Sequence, residues 1–413
     1  MMLRTRRSLA ALALSFAMAL PLGAHAAEAR DRWVGAWASA QLAPDAKNSL
    51  APEDYRDATL RQVVRLSLGG EKLRIRLSNT FGTRPLTIQA AHVAVSAALD
   101  SAKIKPETDR ALTFSGRTEV TIPAGAEYWS DPVTLKVAPL TSLAISLRYV
   151  EAPDVQTGHP GSRATSYVLA GDHVADADLP GAKTADRWFQ IAGVEVVPTA
   201  KTARAIVAFG DSITDGYGVQ PNTNLRWTDA LIERLKGKDL AVLNLGIGGN
   251  RVLLDGLGPN ALARFERDVL SQPGVTHLVL LEGVNDLGTL TREAPATPEA
   301  RKAVVEQVIA AYRQMIDRAR ARGIKVIGAT ILPYGGSAYY HPGPESEADR
   351  QAINAFIRAP GNFDGVIDWD KALRDPARPT HLLAAYDNDG LHPNLAGYKA
   401  MAEAISLSLF NAK

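Results

Sequence analysis

At 413 residues the chain is long enough for two domains with separate cores, and 46% hydrophobic with 22% charged residues fits a folded protein rather than a disordered or membrane-embedded one. Its 46 basic and 44 acidic residues nearly cancel, which removes any argument for electrostatic attraction to nucleic acid or anionic lipid. It has no cysteine, so disulfides, thiolate metal sites and a lipid-bearing cysteine are excluded.

Residues 1–26 read as a secretory signal peptide. Arg4, Arg6 and Arg7 precede an apolar run from Leu9 to Leu22, and Ala24-His25-Ala26 supplies a small-residue cleavage pattern. The run is too short for a comfortable membrane span. The Arg6-Arg7 pair resembles a twin-arginine signal, but the general export route is the expectation. Cleavage would remove three arginines and no acids, leaving 43 bases against 44 acids. The expected address is periplasmic or secreted, without a membrane anchor and without a nucleic-acid partner.

Residues 27–200 are expected to form a β-sandwich of jelly-roll type. Val64, Leu66 and Leu68 alternate with polar residues, Gly69-Gly70 punctuates, and Leu73, Ile75 and Leu77 alternate again. This spacing predicts a hairpin with one buried face. Val120 with Ile122 and the series Leu143, Ile145, Leu147, Tyr149 repeat the period. The region is expected to be structural; a carbohydrate-binding role has no residue signature.

Past the polar connection at 198–202 the rhythm changes, and residues 201–413 are expected to form the catalytic domain. Apolar runs at 205–209, 241–245, 277–281, 325–331 and 365–369 alternate with helical stretches at 228–235, 261–270, 299–320, 346–357 and 395–409. Buried strands alternating with amphipathic helices predict a three-layer α/β/α domain around a parallel five-stranded sheet of flavodoxin-like type. Working residues then collect on loops at the strands' carboxyl ends.

Those loops carry Gly210-Asp211-Ser212, Gly246-Ile247-Gly248-Gly249-Asn250, Gly283-Val284-Asn285-Asp286 and Asp389-Gly390-Leu391-His392. In order and spacing the four resemble the blocks of the SGNH hydrolases, also called GDSL esterases, over roughly residues 204–410. The segments at 33–41 and 60–70 are similar to the β-rich extension of some secreted members.

The residue types carry the chemistry without the resemblance. A serine hydroxyl becomes a nucleophile when a histidine takes its proton, and an acidic side chain fixes the other ring nitrogen. Ser212 as nucleophile, His392 as base and Asp389 as orienter are the expected triad; Pro393 suits a helix start that would hold the last two. The family resemblance implies an oxyanion hole from the backbone N–H of Ser212 and of Gly249 and the side-chain amide of Asn285. Tyr334, Tyr339 and Tyr340, with His341, crowd the loop after the fourth strand; they either contact substrate or pack that loop.

Competing readings are poorer. A dinucleotide loop at 246–251 would need glycine where Arg251 stands, and no Walker lysine follows. Thr214 occupies the last position of the nucleophile-elbow pattern, against an α/β-hydrolase fold. Asp387, Asp389 and His392 are a thin basis for a metal site, so neither metal nor cofactor is expected. His277 and His381 read as structural, and Trp227 as core. The expected activity is hydrolysis of carboxylic esters through an acyl-enzyme, with short acyl groups such as acetyl on a polysaccharide favoured. A lysophospholipase, a thioesterase or an envelope-glycan O-acyltransferase would use the same loops. A carbohydrate-binding protein with a vestigial hydrolase half is the reading from another class.

Overall fold

The computed structural model describes residues 31–411, so the expected signal peptide lies outside the described residues. In the second half, strands form where an apolar run would otherwise face water. Arg204–Gly210, Leu240–Gly246, Val275–Leu281, Lys325–Ala329 and Gly365–Ile367 make one sheet in which every neighbouring pair is parallel. Numbered along the chain, their spatial order is 2-1-3-4-5. The winding reverses between strands one and three, where a doubly wound sheet opens a crevice at its carboxyl edge.

Both faces are covered. Ile206 and Ala208 point into a core with Trp227, Leu231, Trp369 and Tyr398. Ala205, Val207 and Phe209, alternating with them, point into a core with Phe265, Val308 and Met315. Trp227 is fully buried with its ring edge-on to Trp369, 4.9 Å between centroids. Three helical boundaries differ from the sequence reading. Asp368 accepts a hydrogen bond from Lys371 N, so Trp369 opens a short helix instead of ending the fifth strand. The helix begun at Ala261 changes to π winding over Glu266–Leu270, where Asp268 pairs with Arg264 and Arg267. The final helix stops at Glu403, and Arg234 donates to the released carbonyls of Ala402 and Ile405. Ile405 and Phe410 still bury themselves in the same core, which is why the apolar period runs past the helix end.

The N-terminal region is β-rich and antiparallel. One sheet contains Val34–Ala38, Gly70–Ser78, Glu127–Trp129, Val133–Val137 and Ile191–Val197. A six-stranded sheet contains Ala58–Arg65, Ala90–Val95 and Ser142–Tyr149 at its centre. Leu60, Val64, Leu143 and Ile145 from the second share a core with Leu73, Ile75 and Val194 from the first.

The expected hairpin across Gly69-Gly70 is not formed. Ala58–Arg65 pairs with Ser142–Tyr149, whereas Gly70–Ser78 pairs with Ile191–Val197 in the other sheet. The chain crosses from sheet to sheet, and both strands present their alternating apolar residues to the space between. Period two records which face is buried, not which strand is the neighbour. The two glycines serve close approach: a Cβ on Gly69 would lie 2.5 Å from Val137 O, and one on Gly70 2.6 Å from Val197 O.

This β-rich region covers an edge of the parallel sheet. Ser67 Oγ accepts from Val242 N at 3.1 Å and donates to Ala36 O at 2.7 Å. A backbone amide of an outer strand is thereby satisfied. The apolar core is continuous from Trp37 and Leu73 to Leu243 and Phe209.

Candidate active site

Ser212 follows the first strand of the parallel sheet, Arg204–Gly210, and opens a four-residue helix, Ser212–Asp215. Asp211 caps it, accepting from Ile213 N at 2.9 Å. Gly216, at φ +93°, ends it with N–H bonds from Gly216 and Tyr217 to Ser212 O at 2.9 Å. Gly210 leaves no room for a side chain, since a Cβ would meet Thr214 Oγ1 at 2.3 Å and Leu281 O at 2.6 Å. The serine is thus held at the end of the strand on a tight turn.

Ser212 Oγ lies 2.8 Å from His392 Nε2. His392 Nδ1 lies 2.9 Å from Asp389 Oδ2 and 3.1 Å from Oδ1. Asp389 Oδ1 also accepts from the backbone N–H of His392 at 2.8 Å and of Leu391 at 3.2 Å. Partial burial pushes the Asp389 carboxyl up, but these bonds and the facing imidazole together outweigh it and hold the pKa down at about 2. An ionised Asp389 can only accept, so Nδ1 carries a proton and Nε2 is left to accept from the serine hydroxyl. Asp387 is occupied elsewhere, accepting from Gly390 N at 2.7 Å. Among the described residues no group of three or more metal-ligating side chains is assembled.

Gly249 sits at φ +69° with the Leu257 side chain against it. Asn285 is on the first turn of a helix, Val284–Thr291, that starts after Gly283 at φ +104°. Its amide is oriented at both ends: Oδ1 accepts from the Tyr340 hydroxyl at 2.6 Å, and Nδ2 donates to Asn250 O at 2.7 Å. One Nδ2 proton remains for another acceptor. The loops carrying Ser212, Gly249 and Asn285 are adjacent, joined by Ile247 N to Gly210 O at 3.0 Å and by the Asn285–Asn250 bond.

Of the three tyrosines, Tyr334 and Tyr340 are buried, and only Tyr339 is exposed, donating nothing to the triad and bonding Arg292 instead. Tyr340 reaches the site by holding Asn285.

Four features escape sequence reading. Tyr217 stacks on His392, 4.1 Å between centroids at 26°. Its flanking glycines, Gly216 and Gly218 (φ +84°), are the visible trace of the turn that carries it there. Arg264, fully buried, donates to Gly210 O at 2.9 Å, Leu245 O at 2.7 Å and Asn250 Oδ1 at 2.9 Å, and so fastens the ends of two strands and the Gly249 loop. Beneath the serine lie Asp211, Glu282 and Asp286. Burial pushes the Asp211 carboxyl up to about 7 and Asp286 to about 6, and drives Glu282 well above the carboxylate range. Finally, His159 of the β-rich region reaches Asp215 Oδ1 with Nε2 at 2.9 Å while Nδ1 bonds Ala40 O at 2.8 Å.

Residues 208–400 match the model of the GDSL-like lipase/acylhydrolase family. That segment is a GDSL-like lipase/acylhydrolase domain. The chain thus carries a GDSL-type ester-hydrolase domain behind a β-rich N-terminal region. Solved structures similar to this hydrolase include a GDSL-like lipase from Bacteroides thetaiotaomicron, at 21% identity, covering 51% of this chain and 90% of that one, TM-score 0.39. An acetyl xylan esterase matches at 23% identity, covering 48% and 96%, TM-score 0.38. TesA matches at 22% identity, covering 49% and 95%, TM-score 0.37. No curated protein matches the chain.

Proposed function

We propose that this GDSL-type hydrolase is an exported serine esterase that cleaves short acyl groups, acetyl foremost, from a carbohydrate alcohol. The observation that carries the reading is the unbroken line from Ser212 Oγ through the His392 ring to Asp389, with hydrogen-bonding distances of 2.8 Å and 2.9 Å. Ser212 Oγ attacks the ester carbonyl as its proton passes to His392 Nε2. The backbone N–H groups of Ser212 and Gly249 and the second Nδ2 proton of Asn285 receive the oxyanion. His392 then returns the proton to the departing alcohol oxygen, leaving the acyl group on Ser212. In the second half-reaction water loses a proton to His392, attacks the acyl carbon and releases the acid, and Ser212 recovers its hydrogen.

Preference for a small acyl group is supported by Leu257, whose side chain lies against Gly249 and narrows the approach beside it. Export and a carbohydrate alcohol rest on the segment at 1–26 and on the β-rich region. Among the described residues no helix is long and apolar enough to cross a membrane. The test is a series of p-nitrophenyl esters of increasing chain length, run beside acetylated xylan and lysophospholipid, with the protein assayed in periplasmic and culture fractions. Falling kcat/KM with chain length and release of acetate from xylan are expected. A preference for long chains or for lysophospholipid would replace the carbohydrate reading with a lipid one. Transfer to an added alcohol in preference to water would make the enzyme an acyltransferase.

A further inference from the structure

The β-rich region sends one segment, residues 158–165, onto the loop that follows the nucleophile. Arg226 donates to Ser162 O at 2.5 Å, Asn222 N donates to Arg163 O at 2.8 Å, and Asn222 exchanges side-chain bonds of 2.9 Å with Thr165. Held from both sides, Arg163 adopts φ +49°, a left-handed conformation uncommon for a long side chain. Backbone of this kind persists where the surroundings over-determine it and is frequent at ligand clamps.

The guanidinium that this turn presents has its carbon 5.9 Å from the centroid of Tyr217, the ring stacked on His392. Arg163 makes no ion pair with an acid among the described residues, and its buried Nε meets no protein acceptor. Arg264 and Arg350, both fully buried, are matched by the carboxylates of Asp268 and Asp370, and Arg61, fully buried without an acid, spends its donors on Ser146 and backbone carbonyls. A half-buried, unmatched guanidinium beside an ester-cleaving pair has its fork of donors available to a planar or tetrahedral anion.

We propose that Arg163 is a specificity residue, contributed by the β-rich region, that binds an anionic group on the alcohol part of the ester, a carboxylate or a phosphate. This rests on Ser212 and His392 being the reacting pair. Tyr217 is the ring common to both groups, stacked on His392 and within 5.9 Å of the Arg163 guanidinium carbon, so the negative group sits beside that ring. The substrates are then acyl esters of acidic alcohols, such as acidic sugar units, and the region serves recognition as well as packing.

The test compares three acetates of one phenol series on the mature protein: methyl 4-acetoxybenzoate, 4-acetoxybenzoate and 4-acetoxyphenyl phosphate. Comparing proteins cancels the leaving-group differences. In passing from wild type to Arg163→Gln, the ratio of kcat/KM for an anionic ester to that for the neutral one is expected to fall about tenfold; Arg163→Lys should fall part of the way. High salt should shrink the wild-type ratio. Whichever anionic ester loses more identifies carboxylate or phosphate as the preferred group. A ratio unchanged by Arg163→Gln, with both rates lowered equally or not at all, overturns the proposal and leaves the Ser212 reading standing. Hydrolysis of the neutral ester that persists in Ser212→Ala would remove the reading beneath it, and absence of hydrolysis in wild type would remove both.

Discussion

The hydroxyl of Tyr340 donates to Oδ1 of Asn285 at 2.6 Å, and this bond decides which end of the amide faces Asn250 and the serine loop. Tyr340→Phe is therefore expected to lower kcat by roughly 5- to 30-fold, the worth of one or two kcal/mol of lost orientation, while KM stays nearly constant. In an Asn285→Ala background the same substitution should have little further effect, because the amide it orients is gone. Steady-state kinetics on the four proteins of this cycle would check it. Equal, additive losses would assign Tyr340 to packing alone.

Asp389 fixes the tautomer of His392 from a depressed pKa. Asp389→Asn should keep the fold and lower kcat by about 10³–10⁴-fold, since the amide can present a donor to Nδ1 and reverse the ring's protons. Its folded value of about 2 lies below the ordinary carboxylate value of 3.8. The stabilisation from this contact is thus complete above that ordinary value and is lost as pH falls through about 2. Wild type and Asp389→Asn should converge in thermal stability at the acid end; a gap that widens there would contradict an ionised Asp389.

Asp211 behaves with the opposite sign. Its carboxyl is raised to about 7 chiefly by burial, so the folded state favours the protonated form and loses stability as pH rises from about 4 through about 7. Asp211→Asn retains a side-chain oxygen that accepts from Ile213 N and carries no charge. The variant is expected to gain on wild type, by up to a few kcal/mol, between pH 5 and pH 8. Urea titrations at the two pH values would measure it. A wild type whose relative stability improves toward pH 8 would show that the cluster is ionised and compensated.

His159 joins the β-rich region to the nucleophile's helix. Both of its ring nitrogens meet oxygen acceptors, so two protons are shared among His159 and Asp215. His159→Ala leaves a buried carboxylate without its partner and should cost about 3–5 kcal/mol. His159→Ala combined with Asp215→Ala should recover part of that loss. Chemical denaturation of the single and double variants would detect the recovery, and strict additivity would rule out the pairing.

Much of this arrangement is legible in the sequence because it depends on local rules. The parallel strands stand out since each is buried on both faces, as Arg204–Gly210 is through Ala205–Phe209. Ser212, Gly249 and Asn285 stand out since each follows a strand whose end is readable, and Asp389 and His392 since they directly precede the last long helix. What stays hidden depends on partners distant in the chain. The residues of Gly70–Ser78 specify a buried face but not the sheet they join. Tyr340 gives no sign that it turns inward to Asn285, nor His159 that it reaches across to Asp215. Asn285 reads as a loop residue because the helix it opens begins on a left-handed glycine rather than on a capping side chain.

The central claim is that Ser212 carries the acyl group during turnover. The most direct measurement is acid-quenched mass spectrometry of the enzyme during hydrolysis of p-nitrophenyl acetate, with the modified peptide sequenced. An acetyl group on Ser212 in wild type, absent from Ser212→Ala along with turnover, is the expected result. Acetate released at the wild-type rate by Ser212→Ala, or an adduct confined to another residue, would contradict it.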